Sequence, residues 1–294
     1  MKTPIFTGAG VAIVTPMNAD GSINYTRFGE LIEEQIAGGT DAIVVVGTTG
    51  EASTMTDEEH IEAIRFTAEK VAKRIPVIAG TGSNDTGYAI ELSRQAEAAG
   101  ADALLQVTPY YNKTSQRGLV AHFNAIADSV NIPVILYNVP SRTGVSISID
   151  TYIELDKNPN IVATKEASGN LEQVDEILKN KPDGFAVLSG DDSLTYPMIA
   201  CGAEGVISVI GNALPKEFSR MIRLEQRGEF EAAVKIHHKF TDLYSLLFVD
   251  GNPAGVKALL HEMGFINNIL RLPLVPTRVA TVQKMSQILK DLKL

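Results

Sequence analysis

A single cysteine, Cys201, stands among 294 residues, so no intrachain disulfide can form, and a reducing, cytoplasmic compartment fits this usage best. The apolar neighbours Met198, Ile199 and Ala200 predict a buried thiol rather than a nucleophile. Positive charge is also scarce: 26 Lys plus Arg face 35 Asp plus Glu, a net charge of −9. That balance disfavours nucleic acid and anionic membranes as partners, because gripping phosphates needs a basic face. No apolar run approaches the roughly 20 residues that a membrane-crossing helix needs. The start, Met1 to Pro16, carries Lys2 ahead of the fairly apolar stretch Ile5 to Val14. Pro4, the glycines at 8 and 10 and the missing small-x-small cleavage pattern argue against a signal peptide. With 45% hydrophobic and 21% charged residues and no low-complexity tract, disorder is excluded as a main theme.

What the chain does contain is a repeat. Arg74-Ile75-Pro76-Val77-Ile78 recurs in form as Asn131-Ile132-Pro133-Val134-Ile135. Gly39-Thr40-Asp41-Ala42 recurs as Gly100-Ala101-Asp102-Ala103 and Gly202-Ala203-Glu204-Gly205. Each copy precedes a short apolar, β-branched run, as expected where a helix ends at a glycine or proline and a strand buried on both faces begins. Eight such runs can be marked, at 10–16, 42–47, 76–81, 103–108, 133–139, 161–167, 185–190 and 205–210. Helical stripes lie between them, such as Phe28, Leu31, Ile32 and Ile36, and Ile61, Ile64, Ala68 and Val71 behind the capping box Thr56-x-x-Glu59. Eight alternating units favour a closed (β/α)8 TIM barrel over an open sheet. The length alone would suggest two domains at about 150 residues each, but a barrel takes about 250 as one. The predicted organisation is a catalytic barrel over 1–224 and a C-terminal α-helical domain over 225–294, with helices near 230–248, 253–263 and 277–291.

Several common chemistries lack their signatures. After the first strand the chain reads Thr15-Pro16-Met17-Asn18-Ala19-Asp20-Gly21, without the G-x-G-x-x-G of a dinucleotide fold. Gly47-Thr48-Thr49-Gly50-Glu51 lacks the G-K-[ST] ending of a P-loop. The five histidines, 60, 122, 237, 238 and 261, show no H-E-x-x-H spacing, and the adjacent pair at 237 and 238 points to different sides of a helix. Asp191-Asp192 can hold a cation or cap the following helix, and the cap is the expectation. No metal or organic cofactor is called for.

Barrel active sites sit at the C-terminal ends of the strands, and Lys165, at the end of Ile161-Val162-Ala163-Thr164, is the sharpest signal there. An ammonium in low-dielectric core must pair with a carboxylate or lose its proton. With a pKa of about 10.4 only about one lysine in 2,500 is neutral at pH 7, so lowering it to about 7–8 is what attack on a carbonyl requires. Strand alternation places Ile161, Ala163 and Lys165 on one face and Val162, Thr164 and Glu166 on the other, making Glu166 a poor partner for the lysine. On the preceding strand Ile135 and Tyr137 share a face; if it is also inward, the phenol lies about one strand spacing from Lys165 and can relay protons. Otherwise Tyr137 is a packing residue. Thr48 and Thr49, flanked by glycines, offer hydroxyls and amides suited to a small carboxylate, or form a simple turn. Arg142, in Ser141-Arg142-Thr143-Gly144, matches a second carboxylate or is merely solvated.

Taken together, Gly47-Thr48-Thr49-Gly50-Glu51, Tyr137-Asn138-Val139-Pro140-Ser141-Arg142-Thr143-Gly144, Lys165-Glu166-Ala167, Ser189-Gly190-Asp191-Asp192 and Gly205-Val206-Ile207-Ser208 resemble the dihydrodipicolinate (4-hydroxy-tetrahydrodipicolinate) synthase family. That family lies within the pyruvate-dependent class I aldolases, alongside N-acetylneuraminate lyase. The resemblance covers essentially the whole chain, and Arg142 in Asn-Val-Pro-Ser-Arg-Thr-Gly is its more specific mark. It implies a Schiff base between Lys165 and pyruvate, condensation with aspartate semialdehyde and closure of a six-membered ring, the first committed step toward diaminopimelate and lysine. It further implies that Tyr137 moves protons, that Thr48 links it to Tyr111, that Thr48 and Thr49 hold the pyruvate carboxylate, and that Arg142 binds the semialdehyde carboxylate. Main-chain groups of Gly190 and Ile207 help to shape the site. In the family Tyr111 completes a neighbouring subunit's site, which implies a dimer as the smallest competent unit and a homotetramer, a dimer of dimers, as the usual assembly. A lysine feedback site would use Ala52, Ser53, Asp57, His60, Asn84, Tyr88 and Tyr110. Asp57 and Tyr88 depart from the histidine and glutamate of lysine-inhibited members, so weak or absent inhibition by lysine is expected. The competing readings are N-acetylneuraminate lyase or a keto-deoxy-sugar aldolase using the same lysine, and an inactive barrel that binds small keto acids.

Overall fold

The computed structural model describes residues 2–293; Met1 and Leu294, the outermost residues of the expectations above, lie outside it. Eight parallel strands close into a barrel in chain order: β1 (Gly8–Ala12), β2 (Ala42–Val45), β3 (Val77–Gly80), β4 (Ala103–Val107), β5 (Val134–Asn138), β6 (Ile161–Glu166), β7 (Ala186–Ser189) and β8 (Gly205–Ser208), with β8 paired back onto β1. Seven of the eight apolar runs contain one of these strands, and the first, 10–16, overlaps β1, which begins two residues earlier. The helices between them are α1 (Tyr25–Ala37), α2 (Asp57–Val71), α3 (Thr86–Ala98), α4 (Gln116–Ala127), α5 (Pro140–Thr143), α6 (Ile149–Leu155), α7 (Leu171–Asn180), α8 (Thr195–Ala200) and α9 (Pro215–Gln226). Three more follow: α10 (Phe230–Leu246), α11 (Ala254–Glu262) and α12 (Val279–Leu292).

Local signals explain the helix starts. Thr56 Oγ1 accepts from the Glu59 amide at 3.3 Å while Glu59 Oε2 accepts from the Thr56 amide at 3.1 Å, the reciprocal capping box of α2. Asn24, Asp85, Ser115, Ser148 and Asn170 cap α1, α3, α4, α6 and α7 with their side chains. One core fills the shell between sheet and helices, and it runs on without a break into Phe240, Leu243, Leu259 and Met285 of the helical tail. The boundary proposed at residues 224 and 225 therefore falls two residues before the end of α9 and within a shared core. A second cluster fills the barrel interior, with Val44, Ile78, Leu105, Ile135, Tyr137, Ala163 and Leu188 among its members.

Three expectations need correction. Cys201 is exposed: α8 ends at Ala200, so Met198 and Ile199 turn inward while Ala200 and Cys201 face out where the chain leaves the helix. Strand alternation in β6 is broken by one extra residue, with Val134 opposite Ile161 but Ile135 opposite Ala163. Ile161 consequently packs in the outer shell, whereas Val162 and Ala163 belong to the interior. Neither aspartate after Gly190 caps α8, whose N-cap is Leu194 with no side-chain bond. Asp191 instead accepts from the Ser193 amide at 3.0 Å, and Asp192 reaches across to the Val209 and Ile210 amides at 3.0 and 2.7 Å, satisfying the turn that follows β8.

Glu225, on α9, is 2% exposed, and neither carboxylate oxygen has a hydrogen-bond partner among the described residues. Burial pushes its pKa up to about 8. A carboxyl that holds its proton more tightly when folded loses stability as pH rises, here from the unfolded value near 4.5 toward 8. Glu225→Gln is therefore expected to stabilise the protein increasingly above pH 4.5, by about 1–3 kcal/mol at pH 8. Denaturant melts of both proteins across that range check the sign.

Candidate active site

A cavity of about 1170 Å³ opens at the C-terminal ends of the strands, lined by Thr48, Thr49, Tyr137, Arg142, Lys165 and Gly190 among others. Lys165 enters it from the end of β6. The side chain is 5% exposed, and Nζ lies 4.3 Å from the ring centroid of Tyr137, the residue paired with it across β5 and β6. Burial lowers the Lys165 pKa to about 8; the Asp192 carboxylate opposes this, and the Arg142 guanidinium adds to it. Space for the lysine depends on Gly190, because a Cβ there would stand 3.0 Å from Lys165 Cε and 2.8 Å from the Ala167 methyl.

Glu166 points the other way. It accepts from Asn138 Nδ2 at 2.9 Å, from the Tyr152 hydroxyl at 3.1 Å and from the Ser168 amide at 2.8 Å, which ties the ends of β5 and β6 together behind the site. Tyr137 is 8% exposed and its phenol is pushed upward by burial, an effect countered by the Arg142 charge and by the Thr48 hydroxyl. A phenol kept protonated beside an amine of lowered pKa is suited to giving and regaining a proton. Arg142 sits exposed on α5, a single turn closed by Gly144 at φ 71°. Below it Thr143 Oγ1 accepts from Thr108 Oγ1 at 2.9 Å and fixes the loop.

The other expected residues divide. Thr49 is buried and Thr48 exposed on the cavity wall. Ile207 is fully buried among the interior side chains and contributes no cavity wall among the described residues. Tyr111 does not line the cavity either: it is 92% exposed and held at φ 70°, a conformation uncommon for a bulky residue. Ala52, Ser53, His60, Tyr88 and Tyr110 line the same cavity, while the exposed Asp57 and the half-buried Asn84 are not among its lining residues. The Tyr88 hydroxyl donates to Asp57 Oδ1 at 2.6 Å, which raises the Tyr88 pKa to about 12. Asn84 Nδ2 donates to the Tyr110 carbonyl at 3.1 Å, and His60 Nε2 lies 2.9 Å from the Gly80 carbonyl. Among the described residues no cluster of metal-ligating side chains occurs, and no helix is long and apolar enough to cross a membrane.

Asp192 has a role beyond the helix cap expected of it, and two further contributors, Asn252 and Lys257, lie outside every motif read from the sequence. Asp192 is the buried carboxylate whose charge Lys165 feels. Asn252 Nδ2 donates to Thr49 Oγ1 at 2.9 Å. Lys257, wholly buried, pairs with Glu51 of the glycine loop. Only Lys257 carried a local signal, a lysine inside the apolar run Gly255-Val256-Lys257-Ala258-Leu259-Leu260. It realises the alternative that was open for Lys165, a core lysine neutralised by a carboxylate.

A buried amine of lowered pKa at the mouth of a (β/α)8 barrel, beside a phenol and an exposed guanidinium, has the chemistry that condensation with a carbonyl calls for. The chain belongs to the dihydrodipicolinate synthetase family, whose family model matches residues 5–292. A 4-hydroxy-tetrahydrodipicolinate synthase of Phocaeicola vulgatus is 53% identical over 288 residues, covering 98% of this chain and 97% of that protein. The dihydrodipicolinate synthase of Aquifex aeolicus superposes with a TM-score of 0.96 at 46% identity, covering 98% of this chain and 99% of its own. The chloride-inhibited enzyme of Acinetobacter baumannii, solved with pyruvate, gives 0.95 at 44% identity and covers 97% and 98%. A variant described as the first monomeric dihydrodipicolinate synthase gives 0.96 at 38% identity and covers 98% and 97%.

Proposed function

We propose that the protein condenses pyruvate with L-aspartate 4-semialdehyde to give 4-hydroxy-tetrahydrodipicolinate. The observation that carries this reading is the Lys165 amine, 5% exposed, with its pKa lowered to about 8, and packed on the ring of Tyr137. The neutral amine adds to the keto carbon of pyruvate, and loss of water leaves an iminium. That cation draws electrons from the methyl group, which gives up a proton and becomes an enamine carbon nucleophile. The enamine attacks the aldehyde carbon. The amine of the adduct then displaces Lys165, closing the six-membered ring and freeing the enzyme. In this scheme Tyr137 carries the protons, Thr48 and Thr49 hold the pyruvate carboxylate, and Arg142 holds the carboxylate of the semialdehyde. Gly190 leaves room for the lysine.

We place Tyr111 in the site of a second copy, reached through Thr48; its 92% exposure and positive φ in the single chain support that role. A dimer is then the smallest competent unit and a homotetramer the assembly, in a cytoplasmic enzyme. The Tyr88–Asp57 hydrogen bond occupies positions where lysine-inhibited members carry other residues, and a micromolar inhibition constant for lysine would refute the expected insensitivity.

Arg142 separates this reading from a sugar-acid aldolase, since a polyol tail calls for neutral hydroxyl partners and a short semialdehyde supplies a carboxylate. Arg142→Ala is expected to raise the KM for the semialdehyde about 10- to 100-fold, with the KM for pyruvate changed far less. A coupled assay of pyruvate with aspartate semialdehyde, run beside pyruvate with N-acetylmannosamine, tests the substrate assignment. Turnover only with the second pair would overturn it.

A further inference from the structure

The glycine loop after β2 is bent at both ends. Val46 sits at φ 47° and Glu51 at φ 62°, left-handed positions that a β-branched or long side chain rarely adopts. Beneath the loop the chain is tight: a Cβ on Gly80 would stand 2.5 Å from the Val46 carbonyl oxygen. Strained backbone of this kind persists only where its surroundings over-determine it. The surroundings that do so come mainly from the far end of the sequence. Asn252 Nδ2 holds Thr49 Oγ1 at 2.9 Å. Glu51 pairs through Oε1 with Lys257, both side chains fully buried, and accepts from the Arg271 amide through Oε2 at 3.1 Å. Lys257 Nζ donates in addition to the Ile269 carbonyl at 2.9 Å. From the barrel side Thr15 Oγ1 donates to the Gly50 carbonyl at 2.8 Å, and Thr54 Oγ1 donates to the Glu51 carbonyl at 3.0 Å.

Stability does not account for such a pair, because a buried ion pair is commonly no better than well-packed apolar side chains of the same volume. What it supplies is a single geometry. We infer that Glu51 and Lys257 are positioning residues for the keto-acid site: the C-terminal helices brace the loop from behind and fix the hydroxyls and amides of Thr48 and Thr49. This rests on the proposed Schiff-base reading, and it makes the helical tail a working part of the active site.

The test uses the full chain and pyruvate alone, with borohydride to trap the imine. The double variant Glu51→Gln/Lys257→Met removes both charges together and leaves no buried charge unpaired. It is expected to raise the pyruvate concentration for half-maximal trapping about tenfold or more, with the trapping rate at saturation within about threefold of the parent. A cooperatively melting double variant whose half-saturation stays within about twofold of the parent overturns the inference. So does a loss of maximal rate without a shift in half-saturation, the mark of a fold-only role. If the double variant does not fold, Asn252→Ala, which loosens only Thr49, decides: a shift of about threefold or more supports the brace and an unchanged value rejects it. Failure to trap pyruvate on the parent protein would instead sink the Schiff-base reading itself.

Discussion

Lys165→Ala is expected to lower kcat about 10⁴-fold or more while leaving the protein folded. At pH 7 a lysine of ordinary pKa near 10.5 is neutral in about one molecule in 3,000, whereas at a pKa of about 8 the fraction is about one in eleven. Burial thus supplies about 300-fold more nucleophile. The sign with pH follows. Imine formation at low pyruvate should rise about tenfold per unit below pH 7 and level off above about 8, as the amine loses its proton. The same shift bears on stability: a lysine whose folded pKa lies below its unfolded one opposes folding at every pH below about 8. Alanine relieves that cost, which offsets the cavity it leaves, so Tm should stay within a few degrees. A thermal melt beside the rate measurement distinguishes a lost amine from a lost fold.

Tyr137→Phe is expected to be the next most damaging change, lowering kcat about 10²- to 10³-fold. The ring would still pack under Lys165 and fill the interior, so neither the fold nor the lysine's desolvation should change much. What disappears is the hydroxyl that bonds Thr48 and feels the Arg142 charge. Slower but complete trapping of pyruvate on Lys165, with condensation nearly abolished, is the expected pattern. Full turnover in the phenylalanine variant would show that protons travel by another route.

Much of the barrel was legible because the strands are short apolar runs and the helices α1 to α4, α6 and α7 each announce their start with a capping side chain. The bulge in β6 was not legible: Ile161, Val162 and Ala163 are all apolar, so an alternation that slips by one residue leaves no mark in the sequence. Lys165 still faces inward because the extra residue lies before it and the register with Tyr137 is regular from Ile135 and Ala163 onward. Cys201 was misread because apolar neighbours on a six-residue helix say little about where the helix stops. Asp192 looked like a local cap because local partners are all that a sequence displays, whereas its amides belong to the turn after the next strand. Long-range pairing hid the brace in the same way. Glu51 and Lys257 are 206 residues apart, and no periodicity joins them.

The proposed chemistry needs one neutral, inward-facing amine at the end of β6. Reduction of the protein with borohydride in the presence of pyruvate, followed by proteolysis and mass mapping, tests that directly. The prediction is a single covalent adduct, one reduced pyruvate on the peptide that contains Lys165. An unmodified Lys165, or an adduct carried by another lysine such as Lys257, would contradict it.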